Sequence, residues 1–333
     1  MKRLILTSAS GLNLKRSGRA DFVIPFSFRF IGQPLPSPDE LAAYVAARTE
    51  KHVRGSHWSD FVGGLGQASK RRKDLGLIEF CEPYETIEFW FDPDPNDQLQ
   101  LIWLLDFFRS CPETAGRLIF RIVDFELFMP TPKQLGRRRV QAVQIDRYEL
   151  EVASSAWRAY RATTPEPCFD LLGTDLCALP LLRPALVDLL EELPSSATGL
   201  GATEMRLLEL IARGYAHTNA LFHLQGVRRR RVFNSFEIGF LLEGLAHGPT
   251  PAVAGLDDGL RTLSRDNYGD RDTAYKRSKL SLTQFGKAVV AHEDDFSRHN
   301  PIDRWWGGTQ LTNDRLWRWN TALTASDGTR RTQ

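Results

Sequence analysis

Two periodicities share the first half of the chain. Arg3 to Thr7 is a short apolar run that stops at a Ser/Gly loop, Ser8 to Gly11, and predicts a strand. Phe22 to Phe30, rich in Phe, Val and Ile and interrupted by Pro25, predicts one or two extended pieces. Ser37-Pro38-Asp39-Glu40 has the form of a capped helix start that continues through Leu41, Tyr44 and Val45. Thr86 to Phe91 predicts a second strand, Asp92-Pro93-Asp94-Pro95-Asn96-Asp97 its exit loop, and Gln98 to Arg109 a helix with a broad apolar face. Arg117 to Val123 supplies the next strand. Such alternation predicts an α/β domain over residues 1–145, a mostly parallel sheet with flanking helices. Ligands of such sheets bind at the carboxyl ends of the strands, where the Ser8 and Asp92 loops fall.

From about Asp146 the strand signal stops. Tyr148 to Arg161 and Ala178 to Leu193 predict helices, so residues 146–198 are expected to form a helical connector, ending in the linker Pro194 to Gly199. Residues 199–298 change pattern. Helices are predicted from Gly201, over Thr218 to Gln225, and over Ser235 to Ala246 with Asn234 and Glu237 as its capping pair. A long polar loop then leads to a strand-like alternation from Tyr275 to Leu282, and Thr283-Gln284-Phe285-Gly286 opens a last helix. Three helices, a strand and a closing helix predict a winged-helix-like domain. Residues 299–333 predict a tryptophan-rich hairpin turning at Thr312 to Asp314, with Trp317 and Trp319 on one face, followed by a frayed tail.

Composition narrows the function classes. The chain has 333 residues, 42% hydrophobic and 25% charged, with a formal net charge of +2. That balance belongs to a folded protein and argues against a nucleic-acid coat or a polybasic membrane protein. No apolar run approaches the ~20 residues of a membrane span, and the apolar stretch after Lys2-Arg3 is too short for a signal peptide, so the expected compartment is the cytoplasm. Cys81, Cys111, Cys168 and Cys177 form no CxxC pair, which leaves a zinc ribbon or a dithiol redox motif unsupported.

Four patterns together resemble the bacterial domain-of-unknown-function family 1835. They are Trp90-Phe91-Asp92 … Asp97-Gln98-Leu99-Gln100-Leu101 … Leu104-Leu105-Asp106, Gly199-Leu200-Gly201-x-Thr203-Glu204, Leu280-Ser281-Leu282-Thr283-x-x-Gly286, and Asp303-Arg304-Trp305-x-Gly307-Gly308 … Trp317-Arg318-Trp319. Glycine stands at 201 where a serine cap is expected. The resemblance spans nearly the whole chain and implies an architecture, with no established activity attached to it.

Three sets of residues carry candidate chemistry. Asp92, Asp94 and Asp97 at a strand exit are candidate ligands for Mg²⁺ or Mn²⁺, with Ser8, Ser10, Gly11 and Asn96 as candidate ligand-binding neighbours. The competing interpretation of the acidic loop is helix capping. Arg228, Arg229, Arg230 and Arg231, with Lys276, Arg277 and Lys279, are candidate phosphate contacts for DNA or RNA. Against sequence-specific reading, the third predicted helix carries no cation and two glutamates, Glu237 and Glu243, and residues 199–298 hold 14 cations against 12 anions. Asp303, Arg304, Trp305, Trp317 and Trp319 are expected to tie the C-terminus to the core, with Asp303 paired to an arginine. The leading functional expectation is a nucleic-acid-associated or regulatory protein that grips phosphates without reading sequence. The alternatives are a metal-dependent enzyme on a phosphorylated or nucleotide-like substrate at the Asp92–Asp97 loop, and a non-catalytic scaffold for a protein partner.

Overall fold

The structure, a computed structural model, describes residues 2–49, 53, 55–61, 74–224, 232–258 and 268–320. The chain divides into two compact units: residues 1–30, 34–161 and 166–185 form the first, and residues 31–33, 162–165 and 186–333 the second. The stretch expected as a connector, 146–198, therefore contributes to both.

The first unit is an α/β fold. Its strands are β1 (Arg3–Ser8), β2 (Phe22–Phe26), β3 (Thr86–Trp90), β4 (Leu118–Arg121) and β5 (Ala142–Gln144), in the order β2-β1-β3-β4-β5. The first four run parallel, with Leu4 opposite Phe22 and Ile87, and Ile87 opposite Leu118. Only β5 runs antiparallel, against β4. Pro25 sits in the edge strand β2, the place where a missing N–H costs least. Between the strands lie α1 (Pro38–Val45), α2 (Leu77–Cys81), α3 (Pro95–Arg109), α4 (Pro112–Ala115) and α5 (Pro132–Arg137), with α6 (Arg147–Tyr160) and α7 (Glu166–Leu171) after them. Ser37 and Glu40 close the expected capping box on α1. A 3-10 helix, Ala9–Arg16, follows β1 directly.

Each side of the sheet is covered, as a parallel sheet requires. On one face Phe26 and Phe89 meet Trp103 and Phe108 of α3 with ring centroids 6.1 and 5.9 Å apart, and α6 packs on α3. On the other, Ile5, Val23 and Trp90 form a core with Leu14, Val123, Leu127 and Leu135. Glu88 points into this second layer. It is bound by Arg121 at 2.8 Å and by the indole N–H of Trp90 at 2.8 Å, so the buried charge has partners.

The second unit is mainly helical, with α8 (Leu182–Glu191) leading into it. It comprises α9 (Ala202–Ala212), α10 (Thr218–His223), α11 (Ser235–His247), β6 (Val253–Ala254), α12 (Tyr268–Arg277), β7 (Ser281–Leu282), α13 (Gln284–Val290), α14 (Phe296–His299), β8 (Asp303–Trp306) and β9 (Thr309–Thr312). Leu207, Leu208, Leu242, Leu245, Val253 and Val289 share one core. The Leu282-Thr283-x-x-Gly286 motif has a local cause. Thr283 caps α13 by accepting from the Gly286 amide at 3.0 Å, and a side chain at Gly286 would collide with the carbonyl oxygen of Ala252.

Two local expectations change. Tyr275, Lys276 and Arg277 end helix α12 rather than start a strand, and the strand is confined to Ser281–Leu282. The chain does turn at Asn313-Asp314, where an antiparallel bridge joins Thr312 to Arg315, but the paired strands β8 and β9 are joined by an earlier turn at Gly307-Gly308, with Trp306 opposite Thr309. The segment 316–318 is not a strand, and Trp319 instead forms a parallel bridge with Ser195. Among the described residues, no helix is long and apolar enough to cross a membrane.

Candidate functional site

The strand order creates a crevice between β1 and β3. From β1 the chain moves to β2 on one side, then crosses to β3 on the other, so the segments leaving β1 and β3 diverge. Open α/β sheets bind ligands at such switch points, outside the carboxyl ends of the strands. Here β1 ends at Ser8 and runs into the 3-10 helix, while β3 ends two residues before Asp92 and runs into α3. Two helix N-termini, each favouring negative charge, flank the same spot.

Three aspartates converge there. Asp92, Asp94 and Asp97 each offer a carboxylate oxygen, and these atoms all lie within 4.8 Å of one another. Asp92 and Asp97 are buried and Asp94 is half-buried. Asp94 is the N-cap of α3 and accepts from the Asp97 amide at 3.1 Å, the capping role expected of this loop. The helix starts at Pro95 rather than Gln98, which places Asp97 inside its first turn. Asp97 Oδ2 accepts from the Asp92 amide at 3.1 Å, and Asp92 Oδ1 accepts from the Leu127 amide at 2.9 Å.

The Ser8 loop reaches the same carboxylate. Ser10 donates its hydroxyl to Asp97 Oδ2 at 3.3 Å, and the Ser8 and Ser10 hydroxyls are 2.6 Å apart. The two loops expected to matter are therefore joined through Ser10 and Asp97. Burial pushes the Asp97 carboxyl well above the ordinary carboxylate range. The charges of Asp94 and Asp92 push it the same way, against hydrogen bonds from Ser8 and the Asp92 amide.

Two further residues belong to the site. Gln100, 2% exposed, directs its carboxamide N–H to Asp97 Oδ1 at 3.4 Å, and Gln98 donates to the Asp92 carbonyl at 2.7 Å. The side-chain carbonyl oxygens of both glutamines are buried without a hydrogen-bond partner. Buried polar atoms are nearly always paired; both glutamines turn their N–H groups, not these oxygens, toward the aspartates. The available signal was two amides inside an otherwise apolar helix.

Other candidates have different surroundings. Asn96 spends its carboxamide on the chain, accepting from the Phe30 amide at 2.9 Å and donating to the Phe28 carbonyl at 3.0 Å. Gly11 is buried against Thr7, whose side chain occupies the space of any Cβ, so its glycine serves a close approach. Arg228, Arg229, Arg230 and Arg231 lie outside the described residues. Lys276, Arg277 and Lys279 are exposed, and Lys276 pairs with Asp272 one turn back at 2.7 Å. On α11, Phe236 and Phe240 are exposed, Glu237 is half-buried and Glu243 is buried.

At the C-terminus, Asp303 accepts from Gln310 at 3.1 Å rather than from an arginine, and Arg304 pairs with Glu204 at 2.8 Å. Adjacent residues carry the packing differently. Trp305 and Trp317 are half-buried, whereas Trp306 donates to the Leu189 carbonyl at 2.6 Å. Trp319 is buried, and its backbone bonds Pro194 and Ser196. Arg318 pairs with Asp295 at 2.9 Å.

Fold and site together define an α/β unit with an acidic, serine-flanked cluster at its switch point. Comparison of the chain with models of known protein families and with curated proteins gives no match in either case.

Proposed function

We propose that the first unit is a divalent-cation site of an enzyme acting on a phosphorylated or nucleotide-like substrate, with Asp92, Asp94 and Asp97 holding Mg²⁺ or Mn²⁺ and the Ser8–Ser10 turn beside the phosphate. The observation that carries this reading is the placement of three carboxylates within 4.8 Å at the switch point, with the Asp97 carboxyl disfavoured as an anion by burial and by its two neighbours. A dication there would turn mutual repulsion into attraction. Two helix N-termini that favour a phosphate next to the metal support the same reading. A metal in that position would polarise a phosphoryl oxygen and lower the pKa of bound water.

The test is thermal unfolding with Mg²⁺ or Mn²⁺, followed by phosphate release from a panel of phosphate esters. Mn²⁺ at 100 times its Kd stabilises by about 2.7 kcal/mol. Asp92→Ala should abolish both the shift and the turnover, and a shift of equal size in that variant would overturn the reading. The nucleic-acid reading has less support, since Lys276 is engaged by Asp272 and the exposed large side chains of α11 are the phenylalanines Phe236 and Phe240. The resemblance to family 1835 remains part of the proposal and adds no chemistry to it.

A further inference from the structure

The first unit carries a surface of one charge. Residues 9–20 and 127–145 contain seven cations and neither aspartate nor glutamate: Lys15, Arg16 and Arg19 in the first segment, Lys133 and Arg137 to Arg139 in the second. The fold brings the two segments together. Helix α5 packs on the 3-10 helix, and a Cβ at Gly136 would stand 2.5 Å from the Ser17 carbonyl oxygen. Arg19 fastens them, donating its Nε–H to the Leu135 carbonyl at 2.6 Å and a terminal N–H to the Arg138 carbonyl. Asn13 adds bonds to the Phe128 and Pro130 carbonyls at 3.2 and 3.1 Å. Arg16, Lys133 and Arg137 to Arg139 are exposed and Lys15 is half-buried, while the Arg138 guanidinium lies 3.6 Å from the centroid of the Phe125 ring. Among the described residues, no ion pair engages any of the seven. Nearby Arg121 takes up Glu88, and the flanking Asp21 and Asp146 accept from the Arg3 and Tyr148 amides, each at 2.7 Å.

We infer that this basic surface binds the sugar–phosphate backbone of a polynucleotide, and that one phosphate of the bound strand is the ligand of the cation site. The first half stands on the surface alone; the second rests on the proposed cation site and names its substrate class. Long side chains on touching segments lie within roughly one Debye length, about 10 Å at 0.1 M salt, so their potentials add whichever way each one turns. Five of the seven are arginines, whose planar fork matches phosphate oxygens two at a time. Burial acts against the Lys15 cation. Burial and the Arg121 charge act against that of Arg19, with Glu88 opposing them, and an arriving polyanion relieves both. The 3-10 helix joins this surface to the aspartates. Ser10 near its start donates to Asp97 Oδ2, and Lys15 follows five residues on, about 10 Å away at a rise of ~2.0 Å per residue. A chain of phosphates can span that distance, whereas a single phosphate ester at the aspartates leaves the basic surface in water. These cations are separate from Lys276, Arg277 and Lys279 of the second unit.

The experiment uses the full chain in EDTA and the fluorescence anisotropy of labelled single-stranded RNA and DNA of about 20 nucleotides, between about 50 and 200 mM salt. Wild type is expected to bind with a log–log salt slope of about −3, at roughly 0.7 per phosphate engaged. The triple variant Arg16→Gln, Arg137→Gln, Arg139→Gln should bind at least tenfold more weakly, with a slope shallower by about 2. All three positions are exposed, so its thermal unfolding should match wild type. Arg16→Lys, Arg137→Lys, Arg139→Lys keeps the charge and should keep the slope, and Lys276→Gln, Arg277→Gln should bind as wild type does. If wild type binds neither oligonucleotide, or if the glutamine triple keeps the affinity and slope of wild type, the inference is overturned. Capture of phosphatidylserine vesicles without either oligonucleotide, lost in the glutamine triple, would assign the surface to a membrane and overturn it too. These readings need no metal, so they do not depend on the cation site. Mn²⁺ in place of EDTA should then tighten oligonucleotide binding to wild type and leave Asp92→Ala unchanged. If Mn²⁺ raises the Tm of wild type without tightening its hold on the strand, the second half alone is overturned. If Mn²⁺ causes no thermal shift, the cation site falls and takes the second half with it.

Discussion

Replacing Asp97 by asparagine should stabilise the metal-free protein and abolish its response to divalent cations. Two carboxylates 4.8 Å apart repel by about 3.5 kcal/mol at an effective dielectric of about 20, and Asp97 faces both Asp92 and Asp94 at or inside that distance. Proton uptake by Asp97 relieves part of this, and the N-terminus of α3 returns about 0.3–1 kcal/mol for a negative charge in its first turn. The expected net gain near pH 7.5 in EDTA is about 2 kcal/mol, or roughly 4–8 °C in Tm for a unit of this size. The hydrogen bonds survive the exchange. An asparagine oxygen can accept from the Asp92 amide and Ser10, and its NH₂ group can donate to Gln100 once that carboxamide turns its orphaned oxygen inward. Because the folded state holds the Asp97 proton more tightly than the unfolded chain, wild type should lose stability as pH rises above about 4, the unfolded value, until the raised folded value is passed. Asp97→Asn should lack that decline. Mn²⁺ should restore wild type and leave the variant unchanged. Differential scanning calorimetry with EDTA or Mn²⁺ reads both effects. A variant that is less stable than wild type in EDTA by 1 kcal/mol or more, or that keeps the Mn²⁺ shift, would refute the reasoning.

Two further predictions concern buried charges elsewhere. Glu192 accepts from the Thr203 hydroxyl at 2.5 Å and the Thr203 amide at 3.1 Å, and burial, with the nearby Glu204 charge, raises its carboxyl to about 7 against the opposing effects of Thr203 and Arg304. Its folded value is raised, so stability is complete below the ordinary value and is lost as pH rises through about 7, by roughly 3 kcal/mol in all. Urea unfolding from pH 4 to 8 should show this loss in wild type and a flat profile in Glu192→Gln; parallel profiles would exclude Glu192 as the source. Arg121→Met should destabilise the protein by about 3–5 kcal/mol at pH 7, since it leaves Glu88 buried with Trp90 as its remaining side-chain hydrogen bond. The loss should shrink at acid pH as Glu88 takes up a proton, whereas a pH-independent loss would point to packing alone.

What could be foreseen from sequence depended on how local its cause was. The capping pairs Ser37–Glu40 and Asn234–Glu237 lie within four residues, and both appear at the expected helix starts. The parallel core strands were readable because burial on both faces makes them continuous apolar runs. Over four residues a strand and the end of a polar helix look alike, and Tyr275–Arg277 belongs to the helix because Lys276 reaches Asp272 one turn back. Two turn signals lie close together near the C-terminus, Gly307-Gly308 and the polar Thr312–Asp314 segment, and local pattern does not decide which of them joins the paired strands β8 and β9. β5 is three residues long with no buried position, too little for any period to register. Convergence of the Ser8 and Asp92 loops follows from strand order, which no local pattern encodes.

That convergence separates two readings of the acidic loop that sequence leaves together. Capping α3 requires one acceptor at the N-cap, and Asp94 provides it. Other acceptor tasks include the Leu127 amide at Asp92 and the Asp92 amide, Ser10 hydroxyl and Gln100 N–H at Asp97. Each needs an oxygen but no charge, and asparagine or serine would supply one without burying an anion. Burying a carboxylate is costly unless it is paired, and Asp97, 6% exposed, has the like charges of Asp94 and Asp92 beside it. A helix cap accounts for Asp94 and leaves the buried, like-charged surroundings of Asp97 unexplained. The proposed dication would draw all three carboxylates into one set of ligands.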